Sequence, residues 1–318
     1  MTASGAGAAH VHSLADRFRN WGRWGEGDEI GTLNLVTPES IVEASGLVTK
    51  GRVFSLALPF DRYLPLSTVP GSRRFAPIHL MFTSGADAVT GGQEHLDVVR
   101  YADDVIMMPL QCGTQWDGLA HNFDRGKMYN GWSAELVGGS GASKNGIQAM
   151  ASSGVGRGVL LDVARHAGVD ALAPGTAIGA DDLQSCADTQ GAVIRAGDFV
   201  LIRTGHLGVR RGDWGDYSGG PAPGLGLSTL DWIADNDIAA VATDTWGAEV
   251  IPNETPGVFQ PFHIVAIPNM GLLIGEMFDL EELASDCAED GVYEFFFVAP
   301  PLPFTGAVGS PVNPVAIK

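Results

Sequence analysis

Short apolar runs alternate with amphipathic segments along the second half of the chain, and this alternation limits the fold more than any other feature of the sequence. Runs at 158–163, 199–203 and 239–243 have the length of strands, whereas residues 180–190 and 228–236 have helical spacing. Short runs that are apolar throughout are typical of strands buried on both faces. Strands alternating with helices predict an α/β fold.

The first half of the chain is richer in predicted strands, at 53–58, 78–82 and 105–110. Thr37 followed by Pro38 predicts the start of a short helix, because threonine caps helices and proline suits their first position. We find no internal repeat and no low-complexity linker. We therefore expect one domain over residues 16–318, preceded by a flexible leader at 1–15.

The chain is strongly acidic, with 37 acidic and 19 basic residues and a formal net charge of −18. Such a surface repels the phosphates of nucleic acids and of anionic membranes. We therefore expect no nucleic-acid or membrane partner, and a small molecule as the substrate. No run approaches the roughly 20 apolar residues that span a bilayer.

The cysteines indicate a reducing compartment. There are three of them, scattered and odd in number, which predicts no disulfide framework. The first residues contain neither a basic stretch nor a long apolar run of the kind that marks a signal peptide. Together these features favour the cytoplasm.

The densest set of polar side chains lies at residues 111–121, Gln-Cys-Gly-Thr-Gln-Trp-Asp-Gly-Leu-Ala-His, at the predicted end of a strand. Residues two apart share a face of an extended chain, so Gln111, Gln115, Asp117 and His121 can project toward one point. A carboxylate, an imidazole and two amides suit a metal site or a polar substrate. The spacing alone fits equally well a structural loop in which the aspartate caps a turn.

This segment resembles the signature His-x-Gly-Thr-His-x-Asp-x-Pro-x-His of a family of cyclases and metal-dependent hydrolases. Bacterial kynurenine formamidase, isatin hydrolase and trans-dienelactone hydrolase belong to that family. The match retains Gly113, Thr114, Asp117 and His121, and has Leu119 in place of the proline. Further similar segments lie at 21–34, 157–162, 201–205 and 244–276, so the resemblance extends over most of the chain.

The resemblance implies a swivelling β/β/α fold in a single cyclase-like domain, and usually a homodimer or homotetramer. It also implies a divalent metal, zinc or manganese. In the family two histidines and the aspartate bind it, at the positions of Gln111, Gln115 and Asp117 here. A later histidine and glutamate complete the site, often around a second ion, and His263 and Glu276 correspond to them.

Glutamine in place of both histidines leaves three arrangements open. The amide oxygens of Gln111 and Gln115 suit harder ions such as Mn²⁺ better than zinc. Alternatively, His121 joins Asp117 and the later pair around the metal. In the third arrangement no metal binds and the glutamines hold the substrate.

The implied activity is hydrolysis of a cyclic or N-acyl carbonyl compound: an amide, imide or lactone. His121 corresponds to the general base, and an imidazole pKa near 6.5 suits proton transfer at neutral pH. Two alternatives remain: a lyase, dehydratase or cyclase that works without metal through histidine and carboxylate, and a non-catalytic binding protein on the same fold.

Four further residues are candidate substrate contacts. Trp116 and Trp24 are candidates for the wall of a pocket that holds a ring, and core packing is their alternative role. His79 and Asp244 are candidates for polar contact, with a solvated and a turn-stabilising role as alternatives.

Overall fold

The computed structural model describes residues 3–65 and 73–318, with side chains from residue 5 onward. Over these ranges the α-helices are α1 (Ala3–Arg17), α2 (Pro38–Ser45), α3 (Gly85–Val89), α4 (Val163–His166), α5 (Ala180–Gln190), α6 (His206–Arg210), α7 (Thr229–Asp235), α8 (Pro261–Val265) and α9 (Glu281–Asp290).

The strands of the described ranges are β1 (Val53–Ser55), β2 (Ile78–Thr83), β3 (Asp103–Met107), β4 (Gln115–Asp117), β5 (Val137–Gly138), β6 (Gly141–Ala142), β7 (Val155–Asp162), β8 (Ala177–Ile178), β9 (Phe199–Arg203), β10 (Gly224–Leu225), β11 (Ala240–Thr243), β12 (Leu273–Glu276), β13 (Glu294–Val298), β14 (Gly309–Pro311) and β15 (Val315–Ile317). Short 3₁₀ segments lie at Gly31–Leu35, Glu94–Leu96, Tyr129–Gly131, Ala134–Leu136 and Ile147–Met150, and a π-helical turn at Ala266–Met270.

One sheet of nine strands organises the described parts of the chain, in the order β1-β15-β13-β7-β9-β11-β12-β4-β14. The central strands β7, β9, β11 and β12 run parallel, and antiparallel strands extend the sheet on both sides. Helices connect the parallel strands, as expected where a crossover must return the chain to the same edge. The predicted α/β architecture is confirmed.

The sequence pattern located the central elements closely. α5 and β9 have the predicted bounds, and β9 is buried at every position. Thr37 caps α2: its side chain accepts a hydrogen bond from the backbone N–H of Ser40. Local apolar patterns and caps are sufficient here because each is a property of a few consecutive residues.

Two regions differ from the sequence-based expectation. The sequence placed residues 111–121 after a strand. In the structure this segment contains a strand of its own, β4, which lies in the main sheet between β12 and β14. The run at 105–110 belongs instead to β3, which ends at Met107. The proline- and glycine-rich tail contributes β14 and β15 to the same sheet. These pairings join distant parts of the chain, so local patterns do not reveal them.

The segment expected to be a flexible leader forms most of α1. Val11 and Ala15 of this helix are buried in the main core, at 1% and 0% exposure. The helix is thus packed onto the domain, and the division of the chain at residue 16 has no counterpart in the packing. The reason is an apolar stripe with helical spacing, which includes Val11, Leu14, Ala15 and Phe18.

Strands β2 and β3 form a separate two-stranded antiparallel sheet, which we call the arm. Its apolar side chains are exposed, with Leu80 at 59%, Phe82 at 72% and Met107 at 58%. The expected homodimer or homotetramer stays a prediction. No helix in the described residues has both the length and the apolar character to cross a membrane.

Candidate metal centre

The pairing of β4 with its two neighbours places the site. Gln115 lies opposite Glu276 of β12, and Asp117 lies opposite Gly309 of β14. Side chains alternate between the faces of a strand, and directly paired residues share a face. Gln115, Asp117 and Glu276 therefore project from the same face of the sheet, while Trp116 projects from the other.

His263 enters the site from α8. Its Nδ1 donates a hydrogen bond to Oε1 of Glu249 over 2.5 Å, and its Nε2 lies 3.3 Å from Oε1 of Glu276. Glu249 also accepts hydrogen bonds from the backbone N–H groups of Phe262 and His263 in the first turn of α8. The Glu249 carboxylate holds the Nδ1 proton and directs Nε2 toward Glu276, where a bound ion would displace the Nε2 proton; metal-binding histidines are commonly oriented in this way.

Asp117, His263 and Glu276 meet in one buried group. Among the described residues, each offers one ligand atom, and the three atoms lie within 4.8 Å of one another. Two carboxylate oxygens and an imidazole nitrogen are donors that zinc and manganese accept. The residues present therefore fit a divalent ion, which His263, with Glu249 behind it, would help to hold.

The electrostatics of the group also favour a cation. Burial raises the pKa of Glu276 to about 7, and the nearby charge of Asp117 adds to this effect. Burial lowers the pKa of His263, but hydrogen bonds to Glu249 and Glu276 outweigh it and raise that pKa to about 10. Two buried carboxylates side by side are costly unless a proton or a metal ion lies between them.

His121 lies at the edge of this group. Its Nε2 is 3.8 Å from Oδ1 of Asp117, and its side chain is 22% exposed. Burial lowers the pKa of His121, so the ring is neutral at pH 7 and can accept a proton. Its Nδ1 is buried and has no protein hydrogen-bond partner.

Both glutamines of the motif lie on the face that carries the carboxylates. Nε2 of Gln115 donates to Oδ1 of Asp117 and to Oε2 of Glu276, each over 3.0 Å. Gln111 fills the space that a side chain at Gly309 would need, since a Cβ there would lie 2.7 Å from Nε2 of Gln111. Gly309 thus makes room for the Gln111 amide beside Asp117.

Two of the expected substrate contacts, Trp116 and Asp244, lie buried in the protein. Trp116 is fully buried on the opposite face of β4, where its ring packs against Phe278 and its Nε1 donates to the Ala299 carbonyl. Asp244 is also fully buried, and it accepts hydrogen bonds from the N–H and hydroxyl of Thr204 and the N–H of Gly205. Trp116 fills the core, and Asp244 stabilises the turn after β9.

The other two expected contacts lie in outlying segments. His79 is on the exposed arm, where its Nε2 pairs with Asp104 over 2.7 Å. Trp24 is half-buried in the loop after α1, with the guanidinium of Arg23 over its ring. Neither takes part in the group formed by Asp117, His263 and Glu276.

Sequence reasoning missed two residues that act on the site. Glu249 stands in the run Ala-Glu-Val-Ile, and a carboxylate among apolar residues is the same signal that singled out Glu276. Arg74 lies near enough for its positive charge to lower the pKa of both His121 and Glu276. No pattern in the sequence marks Arg74, because it comes from a distant and irregular segment.

A cavity of about 510 Å³ adjoins the motif on another side. Leu58, Tyr63, Leu64 and Trp214 are among the residues that line it. Leu64 also packs directly over Gly113, in the space that a side chain there would occupy. The lining of this cavity combines these side chains with the charged residues Asp61, Arg62 and Arg211, and it does not include the predicted tryptophans.

Comparison with solved structures supports this fold. A structure described as a novel cyclase is 39% identical to this chain and has a TM-score of 0.86, with 95% of this chain and 100% of that chain covered. Isatin hydrolase A from Ralstonia solanacearum is 18% identical with a TM-score of 0.63, covering 88% and 97% of the two chains.

A predicted metal-dependent hydrolase from Bacillus stearothermophilus is likewise 18% identical, with a TM-score of 0.51 and coverage of 84% and 98%. The two similarities at 18% identity show the fold alone. The search of curated proteins found no match. A family model described as "Putative cyclase" matches residues 52–250. With this match and the 39% identical cyclase, the expected cyclase-like α/β fold is confirmed, and the chain belongs to the cyclase family.

Proposed function

We propose that this chain is a metal-dependent hydrolase that opens a cyclic or N-acyl carbonyl compound, an amide, imide or lactone. The observation that carries the proposal is the buried group of Asp117, His263 and Glu276, in which Glu249 orients the imidazole. Two adjacent buried carboxylates are costly to desolvate, and a protein that only binds a neutral small molecule does not need them. Fold likeness to hydrolases agrees with this activity.

The metal-binding residues prepare the site before substrate arrives. A divalent ion, when bound, supplies polarisation of the scissile carbonyl and a lower pKa for water. Asp117 and Glu276 would balance the charge of that ion, and His263 would contribute a nitrogen whose direction is set by the Glu249 carboxylate. Burial of these three side chains limits access of bulk solvent.

His121 is the candidate general base. It is neutral at pH 7 because burial lowers its pKa, and its Nε2 faces Asp117. It would remove a proton from the attacking water and return it to the leaving nitrogen or oxygen. The imidazolium formed in between would be stabilised by the carboxylate of Asp117, 3.8 Å away.

The substrate is proposed to be a small molecule with an apolar part. Leu58, Leu64 and Trp214 line the cavity beside Gly113, and such surfaces suit a ring or a hydrocarbon chain.

A metal-independent lyase, dehydratase or cyclase is the second candidate, and one observation favours it. Gln115 already donates hydrogen bonds to both Asp117 and Glu276, so protein groups alone partly balance the two carboxylates. Such an enzyme would use His121 and a carboxylate for proton transfer.

Metal removal and return separates the two candidates. The protein is purified without chelators, assayed on cyclic imides, lactones and N-formyl amides, then stripped and reloaded with Mn²⁺ or Zn²⁺. We expect hydrolysis to disappear with the metal and to return with it. Full turnover by protein shown to be metal-free would refute the hydrolase proposal and favour the second candidate.

A matched pair of variants links the metal to the site. Asp117→Asn should abolish metal binding and hydrolysis, because it removes one of two charged ligands. Asp104→Asn makes the same chemical change on the exposed arm and should preserve both. Circular dichroism and thermal unfolding would establish that both variants are folded.

A further inference from the structure

The two sides of the Glu276 carboxylate have different partners. Its Oε1 lies 3.3 Å from Nε2 of His263, whereas its Oε2 accepts a hydrogen bond from Gln115 over 3.0 Å. One oxygen thus faces the imidazole that can bind a metal, and the other faces an amide. The site is not symmetric around the two carboxylates.

The Gln115 amide lies where a cation between two carboxylates would lie. Its Nε2 is 3.0 Å from Oδ1 of Asp117 and 3.0 Å from Oε2 of Glu276. An amide NH₂ group has two N–H donors, and both are used here. Only this orientation satisfies two acceptor carboxylates, so the amide oxygen points away from them.

A second metal ion would lack ligands on this side. The resemblance to the cyclase family places up to two ions in the site, one of them on the residues at positions 111 and 115. An amide nitrogen that donates two hydrogen bonds has no lone pair to offer a metal. The amide oxygen of Gln115, the atom that could bind an ion, points away from both carboxylates, so Gln115 does not fit the part of a ligand to an ion that they share, and the Gln111 amide lies over Gly309.

The unpaired atoms of the two glutamines agree with this assignment. Oε1 of Gln115 and Nε2 of Gln111 are buried and have no protein partner. A buried polar atom without a partner costs about 1–3 kcal/mol. These two buried atoms thus have no hydrogen-bond partner among the described residues, while the two N–H groups of Gln115 are committed to the carboxylates.

We propose that this chain binds one divalent ion, on Asp117, His263 and Glu276, and that the Gln115 amide takes the place of a second ion by bridging the two carboxylates. This inference rests on the proposed metal-dependent function. Gln115 acts as a positioning residue: it holds Asp117 and Glu276 together without adding charge.

Counting the metal ions per chain tests the inference without any assay of activity. The stripped protein is saturated with Mn²⁺ or Zn²⁺, desalted and measured by elemental mass spectrometry. We expect one ion per chain, and with Mn²⁺ a paramagnetic resonance spectrum without coupling between ions. Two ions per chain would overturn this inference alone, whereas none would overturn the proposed hydrolase as well.

Gln115→Glu examines the amide directly. The variant keeps the shape of the side chain, removes both N–H donors and adds a charge, so the count should rise from one to two. Gln184→Glu makes the same change on the exposed side of α5 and should leave the count at one. A folded Gln115→Glu protein that still binds one ion would overturn the role given to the amide.

The double variant Gln111→His with Gln115→His asks the same question with neutral ligands. It restores both histidines of the family signature, and we again expect two ions per chain. It also covers the case in which a third carboxylate prevents Gln115→Glu from folding. A folded double variant with one ion would contradict the proposal.

Discussion

The two sides of the metal centre differ in what they present to the carboxylates of Asp117 and Glu276. On the histidine side, the bond from Nδ1 of His263 to Glu249 fixes the direction of Nε2. Asp117, His263 and Glu276 there each offer a ligand atom to an ion. On the glutamine side, the N–H groups of Gln115 already satisfy Asp117 and Glu276. The same pair of carboxylates thus faces a possible cation on one side and a fixed hydrogen-bond donor on the other.

This difference teaches how one site can lose ligands and keep its shape. A glutamine is close in size to a histidine but donates where the imidazole would ligate. The substitution therefore preserves the position of the carboxylates while removing a place for metal. The comparison predicts that changes on the histidine side act on metal affinity, and changes near the glutamines act on the number of ions or on substrate.

The largest effect is expected for Glu276→Gln. The variant removes a charged ligand, and its amide would have to face the Gln115 amide. We expect metal affinity to fall by more than the roughly 10- to 100-fold typical of a residue that only orients a ligand, with activity lost in parallel. Isothermal titration with Mn²⁺ measures this, and unchanged affinity would remove Glu276 from the ligand set.

His121→Ala separates proton transfer from metal binding. We expect kcat to fall by roughly 10² to 10⁴, the contribution of a general base, while the ion stays bound. His79→Ala on the exposed arm serves as the control and should leave kcat unchanged. Loss of the ion from the His121 variant would instead make this histidine a ligand.

Glu249→Gln tests whether the histidine side depends on orientation. Glutamine cannot supply the charge that holds the proton on Nδ1 of His263, so we expect metal affinity to fall by about 10- to 100-fold. Glu254→Gln, the same change five positions later, is the control and should have little effect. An equal loss in both variants would mean that general destabilisation is responsible.

The smallest effect expected is a dependence of metal affinity on pH. The raised pKa of Glu276, about 7, means that below neutral pH a proton competes with the ion. Affinity should therefore increase as pH rises through about 7, and should continue to increase up to about 10 because the ion must also displace a proton from His263, by roughly tenfold per pH unit for each proton displaced. Titration calorimetry in buffers of different ionisation enthalpy counts those protons; affinity independent of pH would contradict the arrangement.

Much of the fold was predictable because it depends on short stretches of sequence. The bounds of α5 and β9 followed from helical spacing and from a run of buried residues. The resemblance to the cyclase family singled out Asp117, His263 and Glu276, and the structure brings these three together. Their roles as metal ligands stay a prediction.

The parts that could not be predicted depend on pairing between distant strands. Trp116 faces the core because β4 pairs with β12 and β14 in one register. A shift of one residue would exchange the two faces of the strand. Glu249 became part of the site only through the first turn of α8, which it caps.

The sequence by itself determined the type of fold, the family and the chemical groups available to the site, since these follow from local patterns and side-chain chemistry. Only the tertiary structure decided what each group faces. Gln115 is a donor to Asp117 and Glu276 because two strands far apart in the chain, β4 and β12, pair in the sheet and present these side chains on one face. The direction of an amide depends on all of its neighbours at once, and no single stretch of sequence contains them.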